Sequence, residues 1–512
     1  MTNTENNKRI AKNTGLLYIR MLLIMALSLY TSRIVLSTLG VVDYGLYNVV
    51  GGVVAMFTFI SAAMGNSTQR YLAFALGKRD NENLQKVFSS SLAIHWVLAI
   101  VILVLAETLG LWFLNTKMII PVERMSAAHW VYQFSILACM VSIISLPYNA
   151  LIIAHEKMSA FTFISILDVV LKLLIVFLIS NASSDKLILY AALILCVQLI
   201  DQLIYGIYCT KHFPESKFKK LDDRGLIKEM TSFAGWSLIG NLAWISYSQG
   251  LNILLNLFFG LAVNAAMGIA VQVQGAIKGF VTNFQMAVNP QIIKSFASED
   301  YKRLHTLIFS SSKISYFLLL CFVLPLVLEA DQVLSIWLKE VPIYAVPFLR
   351  LILIINLIDP LSNPVGVANN ATGKIKIYQI VEGGLLLLIL PISYIFLKIG
   401  SSPESVFVVQ FCIFIIVHIA RLFLVRKKLK MPIKDYLVNV VVPITIVTLV
   451  SVIAPFILYI KSDNTIISFI LVCVISVLSV LFAVYIFGLS PVERYIVNEK
   501  ASQLKVRLFH SR

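Results

Sequence analysis

The chain has 512 residues, 59% of them hydrophobic and only 13% charged, with a mean hydropathy of +0.87. Soluble globular proteins are about 45–50% apolar and about 25% charged, so a soluble enzyme, a disordered chain and a secreted disulfide scaffold are all excluded. The net charge of +16 sits in short loops between long apolar runs, which points to juxtamembrane Lys and Arg and away from nucleic acid. The cysteines, Cys139, Cys196, Cys209, Cys321, Cys412 and Cys473, are scattered and form no CxxC, so they support neither a metal site nor a disulfide framework.

In chain order, apolar stretches long enough to cross a hydrocarbon core about 30 Å thick fall at 15–37, 45–65, 88–110, 129–150, 160–180, 187–209, 236–259, 263–288, 311–334, 345–370, 376–397, 404–425, 437–460 and 465–488. They predict an all-α polytopic membrane protein of about fourteen transmembrane helices. The first stretch follows Lys8, Arg9 and Lys12 as a signal peptide would, but it is too long, has no small-residue cleavage site and contains Arg20 and Arg33, so it is expected to stay in the mature chain. With the N-terminus placed in the cytoplasm, the inner segments hold about 30 Lys/Arg against about six outside, a bias that satisfies the positive-inside rule. The outer ones are Lys117, Arg124, Lys186, Lys339, Lys398 and Lys461. Both termini are thus expected in the cytoplasm.

The chain also repeats itself at an offset of about 220 residues. Gly15 and Gly40 recur as Gly235 and Gly260, Phe88-Ser89-Ser90-Ser91 as Phe309-Ser310-Ser311-Ser312, and Pro147, Ala154 and Lys157 as Pro364, Ala371 and Lys374. The offset spans six helices, an even number, so the halves are expected as parallel repeats, a plan found in secondary transporters with a substrate site near the midplane. The expected organisation is a six-helix bundle at 1–209, a cytoplasmic linker at 210–230, a second bundle at 231–430, an additional helix pair at 431–490 and a basic cytoplasmic tail at 491–512.

Motifs for soluble catalysis are missing. There is no GxxxxGK[ST], HExxH or GxSxG, and the seven histidines are dispersed, so no cofactor, metal or enzymatic activity is expected. A membrane-embedded glycan-processing enzyme and a channel stay open as other readings, with transport leading.

Ionisable groups at membrane depth usually face a cavity or a partner. Gln274, Lys278, Gln285 and Asn289 share one helical face, and Ser237, Asn241, Ser248 and Asn252 another, which together suggest a water-filled cavity or hydrogen-bonded helix packing. Lys172 lies one turn after Asp168, as a substrate cation or a neutralised structural pair. Arg20, Arg33 and Arg350 either face the cavity or snorkel. Asp168, Asp201, Asp359 and Glu382 are candidates for ion coupling or for pairing with these cations. Asp359-Pro360 and Asn363-Pro364 predict a broken or kinked tenth helix. Should Lys278, Arg33 and either Lys172 or Arg350 face the cavity, it is cationic and suits an anion such as a phosphate. A drug exporter for organic cations would want exposed carboxylates and aromatics instead.

The run LYTSRIVLSTLGVVDYGLYNVVGGVVAMF (Leu29 to Phe57) and STQRYLAFALGK (Ser67 to Lys78) resembles bacterial polysaccharide flippases of the O-antigen, Wzx-type family. That family lies in the superfamily that also holds multidrug extruders and lipid II flippases. The resemblance implies two six-helix bundles forming a V. It also implies an undecaprenyl-pyrophosphate-linked oligosaccharide as substrate, moved to the outer leaflet of the inner membrane at the expense of a proton or sodium gradient. Membrane lipids and other polysaccharide-assembly membrane proteins are the implied partners. Arg33 would contact the head group, and Asp43 and Arg70 would act as gate or loop contacts. The expected substrate-binding set is therefore Arg33, Lys172, Asn241, Asn252, Gln274, Lys278 and Arg350. The expected coupling and gating set is Asp43, Arg70, Asp168, Asp201, Asp359 and Glu382. The alternative within the superfamily is a cation-coupled multidrug exporter, kept open by Asp168, Asp201 and Glu382.

Overall fold

The computed structural model describes residues 3–55, 58–116, 120, 122–180, 182–218, 223–259, 261–338, 341–461, 465–491, 493–495 and 498–499. Some helical side chains, Arg33 among them, lie outside the described residues. The described residues are nearly all helical and contain no strand. In lipid this is forced, because a helix satisfies its backbone polar groups internally.

Helices α1 (Asn3–Ala55) and α2 (Thr58–Lys78) take up the first two predicted spans. The loop expected at 38–44 is helical instead. No proline interrupts residues 3–55, and Gly40 alone costs a helix only about 1 kcal/mol. The third span is α3 (Asn81–Leu105), a π turn at Ala106–Gly110 and α4 (Leu111–Thr116). Asp80 starts it by accepting a hydrogen bond from the Asn83 amide at 3.0 Å. Next come α5 (Met125–Ala154), α6 (Met158–Ser180) and α7 (Lys186–His212), the last capped by the Asp185 carboxylate.

Beyond the basic connection lie α8 (Arg224–Phe259), α9 (Leu261–Ala297), α10 (Tyr301–Leu328) and α11 (Ala330–Trp337). The tenth span is split into α12 (Ala345–Asn356) and α13 (Asp359–Ala371), and the eleventh into α14 (Lys376–Leu387) and α15 (Ile389–Lys398). Pro360 and Pro391 follow these two breaks, since a proline fits a first helical turn but removes a donor from a helix interior. The chain continues with α16 (Ser405–Val425), α17 (Ile433–Tyr436), α18 (Val442–Lys461) and α19 (Ile466–Ala483). Among the described residues, ten helices are long and apolar enough to cross a membrane. The protein is a multi-pass membrane protein. Large side chains such as Phe163, Leu257 and Ile467 stand exposed, as lipid-facing positions require.

The helices form two compact units. The first comprises 1–241 and 286–300, the second 242–285 and 301–512, so α8 and α9 contribute to both. In the first, α5 packs on α7, α3 and α2 while α1 packs on α6. Its core gathers Val50, Val54, Leu114, Tyr132 and Ile136, and the Tyr132 hydroxyl donates to the Ala106 carbonyl at 2.7 Å, within the π turn. In the second, α10 packs on α13, α18 and α19, and α14 and α15 lie along α16.

The sequence repeat has a backbone counterpart. Arg79 and Glu299, 220 residues apart, both take left-handed conformations at φ 57°. Glu156 (φ 60°) and Gly373 (φ 75°) do the same just before the repeated lysines Lys157 and Lys374. One copy uses glycine there, as sterics favour; the other holds a glutamate against that preference.

Candidate functional site

The second unit encloses a cavity of about 260 Å³. Four chain segments supply its walls. Helix α8 brings Trp244, Tyr247, Ser248, Gln249 and Asn252. Helix α9 brings Gln274 and Lys278, the α12–α13 break Asn356 and Asp359, and α16 Gln410 and Phe414. Breaking the tenth span puts Asp359 at the first position of α13, where the helix N-terminus favours a negative charge. The Lys278 ammonium forms an ion pair with the Asp359 carboxylate and stands 5.4 Å from the centre of the Trp244 ring. Among the described residues these are the only charged ones in the lining, and they balance each other. Trp244, Tyr247 and Phe414 form an aromatic cluster with ring centres 5.2–6.0 Å apart. Gln274 donates to Asn356 Oδ1 at 3.5 Å, whereas Asn356 Nδ2 is buried without a hydrogen-bond partner. A small cavity lined by Asp359, Ser362 and Arg421 adjoins this wall, and there Arg421 is ion-paired with Glu382. His418 joins Ser362 at 2.9 Å.

The first unit encloses a different cavity, of about 320 Å³, between α1, α5, α6 and α7. Arg20, Ser145, Asn149, Asp168, Gln198, Asp201 and Tyr205 line it. Lys172 pairs with Asp168 at 2.7 Å, one turn along α6. Asp201 is 8% exposed and its Oδ1 has no hydrogen-bond partner. The Arg20 guanidinium lies 4.3 Å over the Phe161 ring.

A model of the polysaccharide biosynthesis protein family matches residues 10–296, more than half of the chain. The chain belongs to that family. No curated protein matches it. Its fold is shared with solved transporters. An outward-facing multidrug resistance MATE family transporter of the MOP superfamily is 15% identical with a TM-score of 0.72, over 83% of this chain and 96% of that one. A MOP superfamily transporter from Pyrococcus furiosus, described as having a binding pocket of reverse polarity, gives the same TM-score of 0.72 at 15% identity, again over 83% and 96%. A MATE structure in a bent conformation matches at 0.72 and 15%, over 84% and 97%. This family member is a multi-pass membrane protein that shares the fold of those transporters.

Of the sequence-predicted residues, the family member brings Lys278, Gln274, Asn252 and Asp359 into one cavity and Asp168 and Asp201 into another. Asn241, three residues before Trp244, lies in the first unit and outside both linings; Gln285, in the second unit, is also outside both and hydrogen-bonds Ser315 at 3.2 Å. Arg350 is held by the Val327 carbonyl at 2.9 Å and by Asp331 at 2.8 Å. Asp43 forms an ion pair with Arg124, which also binds Asp185 at 2.6 Å. Arg70 is buried over the Tyr71, Phe74 and Phe233 rings at 4.2, 5.1 and 5.4 Å. Lys278, expected as a cavity cation, is paired with Asp359, one of the acids expected as a partner for such a cation. The Arg33 side chain lies outside the described residues.

Sequence reasoning missed the Trp244, Tyr247, Asn356, Gln410 and Phe414 walls, and it missed Glu156. The Glu156 side chain, in the α5–α6 turn, is fully buried and binds Arg9 at 2.7 Å, Lys294 at 2.6 Å and Gln291 at 2.6 Å. Burial opposes its ionisation, but Lys294 and Arg9 outweigh that and hold the carboxyl below the usual carboxylate range. Its one local signal was the repeat, which aligns it with Gly373.

Proposed function

We propose that the protein moves a lipid-linked oligosaccharide, on an undecaprenyl-pyrophosphate carrier, across the inner membrane by alternating access, for cell-surface polysaccharide biosynthesis. The observation that carries this reading is the second unit's cavity, a polar chamber of amides and aromatic rings built from membrane helices of a polysaccharide biosynthesis family member. Such a lining suits a hydroxyl-rich head group, while the lipid tail stays in the bilayer. The positive-inside distribution supports cytoplasmic termini.

In this reading Asp201, with Asp168 and Lys172 beside it, couples transport to a proton or sodium gradient. A buried carboxylate with an unpartnered oxygen in a cavity is a place where a cation binds and leaves. The two carboxylates of the same cavity favour a second reading, a cation-coupled multidrug exporter, whose substrate would sit against Asp168 and Asp201.

Purified protein in liposomes, offered a lipid-pyrophosphate oligosaccharide and a cationic dye in parallel, separates the two. Gradient-dependent appearance of the glycolipid in the opposite leaflet with no dye efflux is the expected result. Dye efflux without glycolipid movement overturns the proposal in favour of drug export.

A further inference from the structure

We infer that the second unit's cavity recognises an uncharged sugar ring of the glycan, and that the diphosphate is not held there. This rests on the transport reading above and narrows it to one part of the substrate.

Charge comes first. Among the described residues the lining holds one cation and one anion, Lys278 and Asp359, already paired with each other. An entering phosphate would have to take Lys278 from Asp359 and leave that carboxylate uncompensated beside the newcomer, a repulsive arrangement in a low-dielectric wall. A neutral ligand leaves the pair intact.

Hydrogen-bonding capacity points the same way. Gln249, Asn252, Gln274, Asn356 and Gln410 converge on the cavity. Each amide offers both donors and acceptors without charge, the complement of adjacent hydroxyls, which also donate and accept. Asn356 is 3% exposed, and its buried Nδ2 donor has no partner. An unmet buried donor is costly, and a sugar hydroxyl or acetamido oxygen would satisfy it.

Shape and apolar surface complete the match. A pyranose has hydroxyl edges and C–H faces, and Trp244, Tyr247 and Phe414 present rings to the same space as the amides. The volume of about 260 Å³ equals that of about nine waters at ~30 Å³ each, which is room for a sugar ring and far more than an inorganic ion requires. A site of this kind discriminates by leaving its own amides unpaired when a hydroxyl is missing or inverted.

The test uses full-length protein in liposomes moving lipid-linked oligosaccharide extracted from the membranes of its source cells. Two competitors are added on the loading side: the same glycan released from its lipid by mild acid, and inorganic pyrophosphate. The released glycan is expected to slow translocation, and pyrophosphate at about tenfold higher concentration is not. Gln410→Leu and Asn356→Leu should weaken the glycan's competition at least about tenfold, with Gln410→Asn retaining part of it. The wild-type competition decides the matter even if a variant fails to fold. Competition by pyrophosphate but not by glycan, or by neither, overturns the inference while leaving the transport reading standing. A wild type that moves dye and no glycolipid overturns the transport reading itself.

Discussion

In the first unit the cavity is lined by two carboxylates, Asp168 and Asp201, with Arg20, whereas in the second five amides and three aromatic rings surround a single ion pair. Both are carved among membrane helices, and in both a lysine meets an aspartate. The difference lies in what remains after pairing. Around Asp168 and Lys172 a further acid, Asp201, is left with an unpartnered oxygen. Around Lys278 and Asp359 no further charge lines the wall among the described residues. Counting intramembrane charges is therefore less informative than finding which charge is left over, because a paired charge presents little field to a ligand.

A residue outside both cavities sets the scale for tests of that contrast. Glu156→Gln strands Lys294 and Arg9 against a fully buried position and is expected to cost about 3–5 kcal/mol of stability without altering substrate choice. Thermal unfolding in detergent and the dye-to-glycolipid ratio would check the two halves of that statement. The pH dependence follows from the lowered pKa. Glu156's contribution is complete above the ordinary carboxylate value of 4.5 and is lost as pH falls through its lowered folded value. Between pH 5 and 8 Glu156 should thus contribute no loss of melting temperature, and a decline across that window that Glu156→Gln abolishes would contradict it.

Next in size is Lys278→Ala, which leaves Asp359 alone in the neutral cavity. Because the two side chains are 40% and 26% exposed, the expected loss is about 1–3 kcal/mol, below that of a fully buried pair. Lys278→Ala/Asp359→Ala should recover most of it. A double variant no more stable than the single one would mean the pair is not what keeps this cavity neutral.

Asp201→Asn addresses the other cavity. Gradient-driven translocation is expected to fall at least about tenfold, ~1.4 kcal/mol in the barrier, while glycan competition measured without a gradient stays as in wild type. Gln410→Leu should show the reverse pattern. If both variants lose both properties, the division between the two cavities collapses. The smallest effect is expected from Arg350→Gln, less than about twofold in transport, ~0.4 kcal/mol, since its guanidinium is engaged by Val327 and Asp331 outside either lining. A larger loss would bring Arg350 back among substrate contacts.

Much of the scaffold was legible in the residues themselves. The apolar runs predict where helices lie because transfer into lipid is summed over about 20 consecutive side chains, and Asp359-Pro360 predicts the break before α13 because proline's missing donor is a local property. The repeat was legible too, and it reappears as left-handed residues at matching positions. Of the polar stripe expected on α9, Gln274 and Lys278 reach the cavity while Gln285 turns to Ser315. Periodicity names a face and not what that face meets. The loop expected at 38–44 failed for a related reason: glycine and a polar residue are weak breakers where the membrane rewards continuous helix.

The sequence by itself determined a multi-pass helical protein with an internal repeat, since hydrophobic length, charge bias and proline position act within one segment at a time. Only the tertiary structure decided that Lys278 meets Asp359 across 81 positions, that Asp201 keeps an unpartnered oxygen, and that Glu156 gathers Arg9, Gln291 and Lys294. Those outcomes depend on which helix faces pack together, and such pairing energies couple residues that no local pattern relates.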